Sequence, residues 1–369
     1  MKFTNVKLFD ENFRFVNTDV TVRNGVFAHG DDGELLDCTG LMMIPGLVDI
    51  HTHGALGYEA KDGTAEAIEA LSRFEVEHGI TTFLPTFATL GFEELLSAAE
   101  CVAKSKNSVQ GAKIGGIHME GPYFSMKYKG AQNLEYIRDP DVDEFRKINA
   151  ASGGLVRLIS IAPENEGSEE FVKAVKDEVK VAAGHTDADY ETMVKAIEWG
   201  VTHLTHSFNA MRGLHHRSPG AIGAAIDGDV MCECISDGMH VHPAMVRLLY
   251  KAVGSERLVL ISDSVRPAYL ADGEYDSCGL KVIVKDGKAT LENGTIAGST
   301  STLFDCLKRA VSFGIPIEDA VRAATYNPAK AVGIENECGV IKKGRAADFI
   351  LVDESFDLKA VYVNGIKIK

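Results

Sequence analysis

Eight short apolar segments, separated by amphipathic helical stretches, constrain the fold of this 369-residue chain more than any other feature. They cover residues 47–50, 81–86, 113–118, 156–161, 179–183, 201–205, 230–235 and 257–262. Apolar segments that alternate with helices are typical of βα units and a parallel sheet. Eight units are the number that closes a TIM-type barrel, so the sequence predicts an α/β fold built on a (β/α)8 barrel.

Helices are predicted where apolar residues recur three and four positions apart. Residues 65–78 and 92–104 show this spacing clearly, and residues 301–313 and 316–325 also read as helix. The segment 280–297 interrupts the alternation. It is predicted to form a β-hairpin that turns at Asp286-Gly287 and is inserted after the eighth strand.

Both ends of the chain read as short strands, at residues 2–9, 18–23 and 26–29 and again at 347–352, 358–363 and 366–368. Asn24-Gly25, Asp31-Asp32-Gly33 and Asn364-Gly365 punctuate them, and Asn-Gly between extended runs is a strong hairpin signal. We therefore predict a small β-sandwich domain from residues 1–45 and 333–369. The barrel domain is predicted at 46–332, with its hairpin insertion near 280–298.

Composition limits the possible partners and the compartment. A net charge of −15 opposes non-specific binding to nucleic acid or anionic lipid, so neither partner is expected, and an anionic substrate needs a local cationic pocket. Seven scattered cysteines without a Cys-x-x-Cys pair favour reduced thiols. The sequence shows no apolar stretch of about 18 residues and no signal-peptide core, so a cytoplasmic location is expected.

The first apolar segment ends in His51-Thr52-His53. Alternate residues of a strand point to the same side, so both imidazoles can bind one metal ion. Taken alone, the pair is equally compatible with two histidines near a surface strand end. However, of the twelve histidines only His29 and His78 lie away from predicted strand ends or the loops that follow them. In a parallel barrel these ends form one rim, where active sites lie.

Further ligand types follow later strands. Glu120 comes just after the third strand, His185 after the fifth and His206 after the sixth, which gives the three-ligand set of a catalytic zinc site. Individually, Glu120 could be a solvated loop residue and each histidine a core or capping residue. Asp263 follows the eighth strand, where it can serve as the base for a metal-bound water or merely cap a turn. His203 is predicted to have a structural or supporting role.

Positive charge is concentrated in the loop after the sixth strand, at Arg212, His215, His216 and Arg217. Guanidinium and imidazole donors could bind a phosphate there. A solvated basic loop is the simpler interpretation of these residues alone. Glycine-rich phosphate motifs of the P-loop and dinucleotide-binding types are absent from the sequence.

Seven motifs, taken in order, resemble the amidohydrolase superfamily and, within it, the family of N-acetylglucosamine-6-phosphate deacetylases. They are Pro-Gly-Leu-Val-Asp-Ile-His-Thr-His at 45–53, His-Met-Glu-Gly-Pro-Tyr at 118–123, Lys-Gly-Ala-Gln-Asn at 129–133, Gly-His-Thr-Asp-Ala at 184–188, His-Ser-Phe-Asn-Ala-Met at 206–211, Asp-Gly-Met-His-Val at 237–241 and Ile-Ala-Gly-Ser at 296–299. The resemblance covers nearly the whole chain. It implies metal-dependent conversion of N-acetyl-D-glucosamine 6-phosphate to D-glucosamine 6-phosphate and acetate, in amino-sugar catabolism or recycling.

The resemblance also implies roles for individual residues. Glu120, His185 and His206 match the ligands of the main metal ion, and Asp263 matches the general base that later acts as acid. Substrate contacts are implied for Ala131, Gln132, Asn209, Ala210, Arg217, Asp237, Gly238, Met239, His240, Ile296, Ala297 and Gly298. Arg217 matches a position that reaches a neighbouring subunit's active site, so a homodimer is expected.

Two departures from the best-known enterobacterial members concern the metal. Those members lack the pair formed here by His51 and His53, and they carry a histidine where this chain has Gln132. We hypothesise that His51, His53 and a bridging Glu120 hold a second ion that polarises the amide carbonyl instead. One or two divalent ions per subunit are therefore expected, zinc first, with iron, manganese or cobalt also compatible with these ligands.

Two rival functions remain open from the sequence. An N-acetylgalactosamine-6-phosphate deacetylase, or another amidohydrolase, would share the metal ligands and differ in contacts to the substrate. A non-catalytic scaffold on the same barrel is disfavoured, because Glu120, His185, His206 and Asp263 are all retained.

Overall fold

The computed structural model describes residues 1–30 and 33–369, so the predicted turn residues Asp31 and Asp32 lie outside the described part of the chain. In chain order the strands are β1 Lys2–Phe9, β2 Phe15–Arg23, β3 Val26–Ala28, β4 Leu35–Asp37, β5 Leu41–Pro45, β6 Leu47–Thr52, β7 Gly54–Ala55, β8 Tyr58–Glu59, β9 Ile80–Phe87, β10 Lys113–Ile114, β11 Ile117–Glu120, β12 Val156–Ile161, β13 Lys180–Ala183, β14 Val201–Leu204, β15 Met231–Cys234, β16 Leu258–Leu260, β17 Gly273–Ser277, β18 Leu280–Lys285, β19 Lys288–Leu291, β20 Phe349–Asp353, β21 Leu358–Val363 and β22 Ile366–Lys367. The helices are α1 Ala65–Glu77, α2 Phe92–Ser105, α3 Val142–Ala151, α4 Ser168–Val175, α5 Tyr190–Trp199, α6 Gly220–Asp227, α7 Pro243–Val253, α8 Leu303–Ser312, α9 Ile317–Ala324 and α10 Tyr326–Ala331. Short 3₁₀ turns occupy Ala60–Asp62 and Leu134–Tyr136.

A parallel barrel forms the centre of the molecule, as the eight apolar segments predict. Its strands follow one another from β6 through β9, β11, β12, β13, β14 and β15 to β16, with β10 also paired to β9. The seam between β16 and β6 is joined where the Asp263 backbone N–H donates to the His51 carbonyl at 2.9 Å. The barrel strands are almost wholly buried, which explains their near-continuous apolar sequences.

The third predicted strand, 113–118, is divided into β10 and β11 rather than continuous. Gly115 and Gly116 lie at the division. A Cβ on Gly116 would approach Arg157 Cγ to 2.3 Å, so only glycine allows the backbone to pass so close to the neighbouring strand. After this break β11 carries Glu120 to the rim.

The helices cover the outside of the barrel, and α1 illustrates why they form where they do. Thr64 caps its first turn by accepting a hydrogen bond from the Ala67 N–H at 3.2 Å. The helix then buries Ile68, Leu71 and Phe74, whose spacing of three residues keeps them on one face.

Both termini contribute to one sheet, in the order β22-β21-β20-β5-β1-β2-β3, with β4 paired to β1. Its aromatic core includes Phe3, Phe349 and Tyr362, and the last two rings stack with centroids 4.5 Å apart. The predicted fold class, a barrel with a small β-domain built from both ends, is confirmed. The strands β4 and β5 were not predicted, and the domain boundaries given above remain predictions.

The insertion after β16 is a three-stranded antiparallel sheet of β17, β18 and β19, rather than a hairpin alone. The predicted turn is present, with Asp286 and Gly287 at φ values of 52° and 72° between β18 and β19. β17 is the unexpected member. Its sequence is polar and alternates between half-buried and exposed residues, so it lacks the apolar signal of a strand.

Candidate metal centre and substrate pocket

Three side chains converge at the carboxyl-terminal rim of the barrel. Glu120 ends β11, and His185 and His206 lie just beyond β13 and β14. Glu120 Oε1 lies 3.0 Å from His185 Nε2 and 2.9 Å from His206 Nε2, and the two Nε2 atoms are 3.1 Å apart. Two imidazole nitrogens and a carboxylate oxygen at this spacing form a three-ligand metal group that leaves coordination positions open.

The backbone that presents these groups is strained. His185, His206 and Asp263 have φ values of 45°, 26° and 49°, in a region that residues with a Cβ seldom adopt. Each lies two or three residues beyond the end of a barrel strand, so the left-handed residue turns the chain as it leaves the rim. Strain of this kind costs about 1–3 kcal/mol per residue and accumulates at functional sites.

His51 and His53 form a second group that shares Glu120 with the first. His53 Nε2 lies 3.3 Å from Glu120 Oε2, and His51 Nε2 lies 3.6 Å from Glu120 Oε1. His51 Nε2 is buried and has no hydrogen-bond partner among the described residues, as expected of a nitrogen reserved for a metal ion. The residues therefore fit two ions with Glu120 between them.

Electrostatics favours cations in this cluster. Burial alone would raise the pKa of Glu120, but the adjacent His185 and His51 hold it well below its usual range. Burial opposes the charged form of His53 and His206, yet hydrogen bonds and charge from the carboxylates outweigh it and raise their pKa values to about 10 and about 9. Carboxylates that favour protonated imidazoles favour a divalent cation in the same way.

Asp263 lies on the open side of this cluster. Its Oδ1 is 3.5 Å from His51 Nε2 and 3.3 Å from His53 Nε2. Burial opposes ionisation of Asp263, but the charge of His51 and the hydrogen bond from His53 outweigh it and lower the pKa. The carboxylate is thus ionised at neutral pH and can accept a proton.

Gln132 contacts the centre directly. Its Nε2 donates to Glu120 Oε2 at 2.6 Å, and its Oε1 accepts the Thr89 N–H at 2.8 Å. The amide therefore orients the bridging carboxylate. This contact places Gln132 directly against a carboxylate that both ligand groups share.

A pocket of about 430 Å³ opens above the centre. Of the residues that the resemblance assigned to substrate, eight line it: Ala131, Gln132, Asn209, Ala210, His240, Ile296, Ala297 and Gly298. Asp237, Gly238, Met239 and Arg217 do not line it. Asp237 lies behind the wall, where its Oδ2 is 2.7 Å from Nδ1 of His240. Nε2 of that ring has no hydrogen-bond partner in the part of the chain that the structure describes.

The basic side chains of the loop after β14 do not gather in this pocket. Arg212 pairs with Asp187 at 2.6 Å, and Arg217 Nη1 lies 2.7 Å from His216 Nε2. Arg217 lines a separate surface pocket with Asp189, Tyr190, Ser218 and other residues. Lys127, which the sequence did not single out, lines the main pocket, and its Nζ lies 2.9 Å from Asp187 Oδ2.

Two more histidines near the rim stay outside both ligand groups. His118 Nε2 lies 2.8 Å from Ser160 Oγ, and its ring packs edge-on against His51. His203 Nδ1 lies 2.7 Å from Thr202 Oγ1. Both are buried, so they support the barrel interior beneath the centre.

Several site residues were missed by sequence reasoning. Glu233 is wholly buried on β15, and its Oε2 lies 3.1 Å from His51 Nδ1. The sequence feature that could have identified it is a single carboxylate within an otherwise apolar strand. Tyr128, Phe208, Cys278 and the roof residues of β18 and β19 also line the pocket. These lie in loops or in the insertion, where no periodic pattern marks them.

Known proteins with similar sequences and structures include deacetylases of the kind that the resemblance implies. The profile of the Amidohydrolase family matches residues 42–367. An N-acetylglucosamine-6-phosphate deacetylase of Bacillus subtilis is 37% identical over 88% of this chain and 84% of its own, and an N-acetylgalactosamine-6-phosphate deacetylase of Escherichia coli O157:H7 is 31% identical over 88% and 87%. A solved structure of a mutant N-acetyl-D-glucosamine-6-phosphate deacetylase from Mycobacterium smegmatis, in complex with N-acetyl-D-glucosamine-6-phosphate, superposes with a TM-score of 0.91 at 32% identity, covering 100% of this chain and 98% of the other.

Within residues 1–30 and 33–369, no helix combines the length and the apolar character needed to cross a membrane.

Proposed function

The chain belongs to the amidohydrolase family, and we propose that it is the metal-dependent hydrolase that removes the acetyl group of N-acetyl-D-glucosamine 6-phosphate. The products are D-glucosamine 6-phosphate and acetate. The observation that carries this proposal is the pair of ligand groups that share Glu120, with ionised Asp263 beside them at the base of a sugar-sized pocket. Relatives named for this reaction, matched over most of the chain, support the choice of substrate.

The metal centre of this proposal would hold divalent ions, with zinc as the first choice. Glu120, His185 and His206 would hold one ion, and His51, His53 and the shared Glu120 would hold a second. Iron, manganese and cobalt accept the same nitrogen and oxygen ligands. A divalent ion at such a site acts as a Lewis acid and lowers the pKa of bound water towards about 7.

Asp263 moves the proton in this reaction. Its carboxylate is ionised and lines the pocket, so it accepts a proton from the attacking water. It then donates that proton to the nitrogen of the departing amino sugar, which leaves as an amine. One carboxylate thus serves as base in the first half of the reaction and as acid in the second.

The substrate occupies the pocket beneath the roof formed by the insertion. The proposed sugar contacts are Asn209, the Ala210 backbone, His240 with its unpaired Nε2, and the segment from Ile296 to Gly298. Asp237 keeps the His240 ring turned toward the pocket. Lys127 is a candidate for the phosphate from within the same chain.

A homodimer completes the phosphate site in this proposal. Arg217 lies outside its own pocket, on a surface loop, so it is available to reach the pocket of a second copy. Mixing inactive Arg217→Ala and Asp263→Asn chains tests this directly. Each mixed dimer would contain one site with an intact Asp263 and a wild-type Arg217 from its neighbour.

If Arg217 acts across the interface, random mixing should restore acetate release to about a quarter of the wild-type rate, since half of the dimers are mixed and each has one complete site. If Arg217 acts within its own chain, mixing should restore nothing.

The alternative substrate is the galacto epimer. The Escherichia coli relative, at 31% identity, is named for N-acetylgalactosamine 6-phosphate. The same metal ligands serve either sugar, so the difference must lie in contacts to one hydroxyl group. We favour the gluco sugar because the relative at 37% identity carries that name.

Metal removal tests the proposed chemistry. Chelation should abolish acetate release, and addition of Zn²⁺, Fe²⁺, Mn²⁺ or Co²⁺ should restore it, because Glu120, His185 and His206 supply ligands but no Lewis acid of their own. The measurement is the rate of acetate release against metal content. Full turnover by metal-free protein would contradict the proposal.

The cytoplasm is the proposed location of the enzyme. All seven cysteines are unpaired thiols in the structure, which agrees with a reducing compartment.

A further inference from the structure

Glu233 is a buried carboxylate that the reaction described above does not use. It lies on β15 with an exposed fraction of 0%, and it has no lysine or arginine partner among the described residues. Its Oε2 is 3.1 Å from His51 Nδ1, while its Oε1 has no hydrogen-bond partner there. An ionisable side chain in such a position needs compensation from its surroundings.

The contact with His51 selects one form of that ring. A carboxylate oxygen accepts, so the proton of neutral His51 resides on Nδ1 and the lone pair on Nε2. Nε2 is the atom that faces Glu120 and Asp263, at 3.6 Å and 3.5 Å. Glu233 therefore leaves His51 ready to bind a metal ion through Nε2 and fixes the angle of the ring.

The same carboxylate also reaches the other ligand group. Glu233 Oε2 accepts the backbone N–H of His206 at 3.1 Å, and the Glu233 carbonyl accepts the N–H of Ser207 at 2.8 Å. These bonds hold His206 in its left-handed conformation, with φ of 26°. One side chain thus connects a ligand of the first group to a ligand of the second.

Glu233 also adds a third buried carboxylate to Glu120 and Asp263 near the centre. No lysine or arginine pairs with Glu233 among the described residues. Cations held by the two ligand groups would therefore compensate its charge.

We propose that Glu233 is the positioning residue of the second metal site, holding His51 in the Nδ1–H form and tying it to His206. This rests on the proposed metal-dependent function. Glu233 accepts hydrogen bonds from both ligands without touching substrate, so it acts through them. Its loss should weaken metal binding at the His51-His53 group most, because there it sets the form of the ligand ring, and should affect the group of His185 and His206 less, because there it bonds only to the backbone of His206.

Glu233→Leu tests the assignment, because leucine keeps the bulk and removes the acceptor. Cys234→Ala is the matched control, since Cys234 is buried next to Glu233 on the same strand and the alternation of a strand points its side chain to the opposite face. The readouts are metal content by mass spectrometry and calorimetric titration of Zn²⁺ into metal-free protein. We expect the second ion to bind about 10–100-fold more weakly in Glu233→Leu, the first ion to lose less affinity than the second, and the control to bind both ions as the wild type does.

Glu233→Gln should give partial recovery, because its carbonyl can occupy the Oε2 position but carries no charge. If leucine prevents folding, Glu233→Met provides the same test, because its side chain fills the space and its sulfur is only a weak acceptor. Wild-type affinity for both ions in Glu233→Leu or, failing that variant, in Glu233→Met would overturn the proposal. So would a wild-type chain that binds a single ion. If the wild type binds two ions but releases no acetate, the proposed function fails while the assignment of Glu233 is still decided by the titration.

Discussion

At the scale of single residues, Glu120 connects the parts of the centre. Its two oxygens lie within 3.6 Å of the Nε2 atoms of His51, His53, His185 and His206, and one of them accepts from Gln132. A carboxylate shared in this way faces the side-chain nitrogens of four imidazoles, and in the proposed function it would be a ligand of both ions. The Gln132 bond fixes the orientation of the Glu120 carboxylate.

Asp263→Asn should separate binding from chemistry. The amide keeps the shape of the side chain but cannot accept the proton of water, so turnover should fall by about 10²–10⁴-fold while metal and substrate binding persist. Acetate release, metal content and substrate titration are measured on the same protein.

Asp286→Asn is the control, since Asp286 is an exposed turn residue and asparagine tolerates its left-handed backbone. An Asp263→Asn chain with wild-type turnover would rule out the role assigned to Asp263.

Individual site residues could be predicted when a strand pattern points them to the rim. His51 and His53 were placed by their spacing of two, and Glu120, His185, His206 and Asp263 by their position after apolar segments. Glu233 was missed because it lies within a strand rather than after it. Nothing in a single sequence reveals that its carboxylate meets His51, which is 182 positions away.

At the scale of elements, the strand ends determine what the site can do. Parallel strands deliver their last residues to one edge, and the left-handed residues after β13, β14 and β16 turn the side chains of His185, His206 and Asp263 inward. The roof from β17 to β19 closes the pocket from above with Val282 and Leu291. The barrel strands were predictable from apolar runs, whereas the polar strand β17 was not.

Protonation of His203, on β14, affects the free energy of unfolding. Burial lowers the pKa of His203 to about 4, against the opposing charge of Glu233, whereas an unfolded histidine titrates at about 6.5. Between about pH 6.5 and about pH 4, the unfolded chain therefore binds a proton at His203 that the folded chain does not bind. Stability should fall by about 1.4 kcal/mol for each pH unit as the pH decreases from about 6.5 towards about 4.

His203→Asn should remove this slope, since asparagine can keep the contact with Thr202 and does not titrate. Urea unfolding of metal-free protein at pH 7 and pH 5 measures it, and the variant should lose about 2 kcal/mol less than the wild type between these values. His29→Asn, at an exposed position, is the control. Equal losses in wild type and His203→Asn would contradict the assignment.

At the scale of the whole molecule, the two chain ends meet beside the barrel. β20 pairs with β5 in an antiparallel ladder from Phe349 opposite Pro45 to Asp353 opposite Leu41, immediately before β6 begins. The C-terminal strands thus anchor the segment that leads into His51 and His53. Matching hairpin signals at both ends of the sequence predicted this arrangement. The pattern did not separate β4, which has three residues, or β5, which runs almost directly into the first barrel strand.

Acetate release by the purified protein tests the proposed reaction most directly. Purified protein of measured metal content is supplied with N-acetyl-D-glucosamine 6-phosphate, its galacto epimer and the unphosphorylated sugar. We expect rapid turnover of the phosphorylated gluco sugar alone, with about two ions per chain. Absence of acetate from all three sugars, in protein that holds its metal ions, would contradict the proposed function.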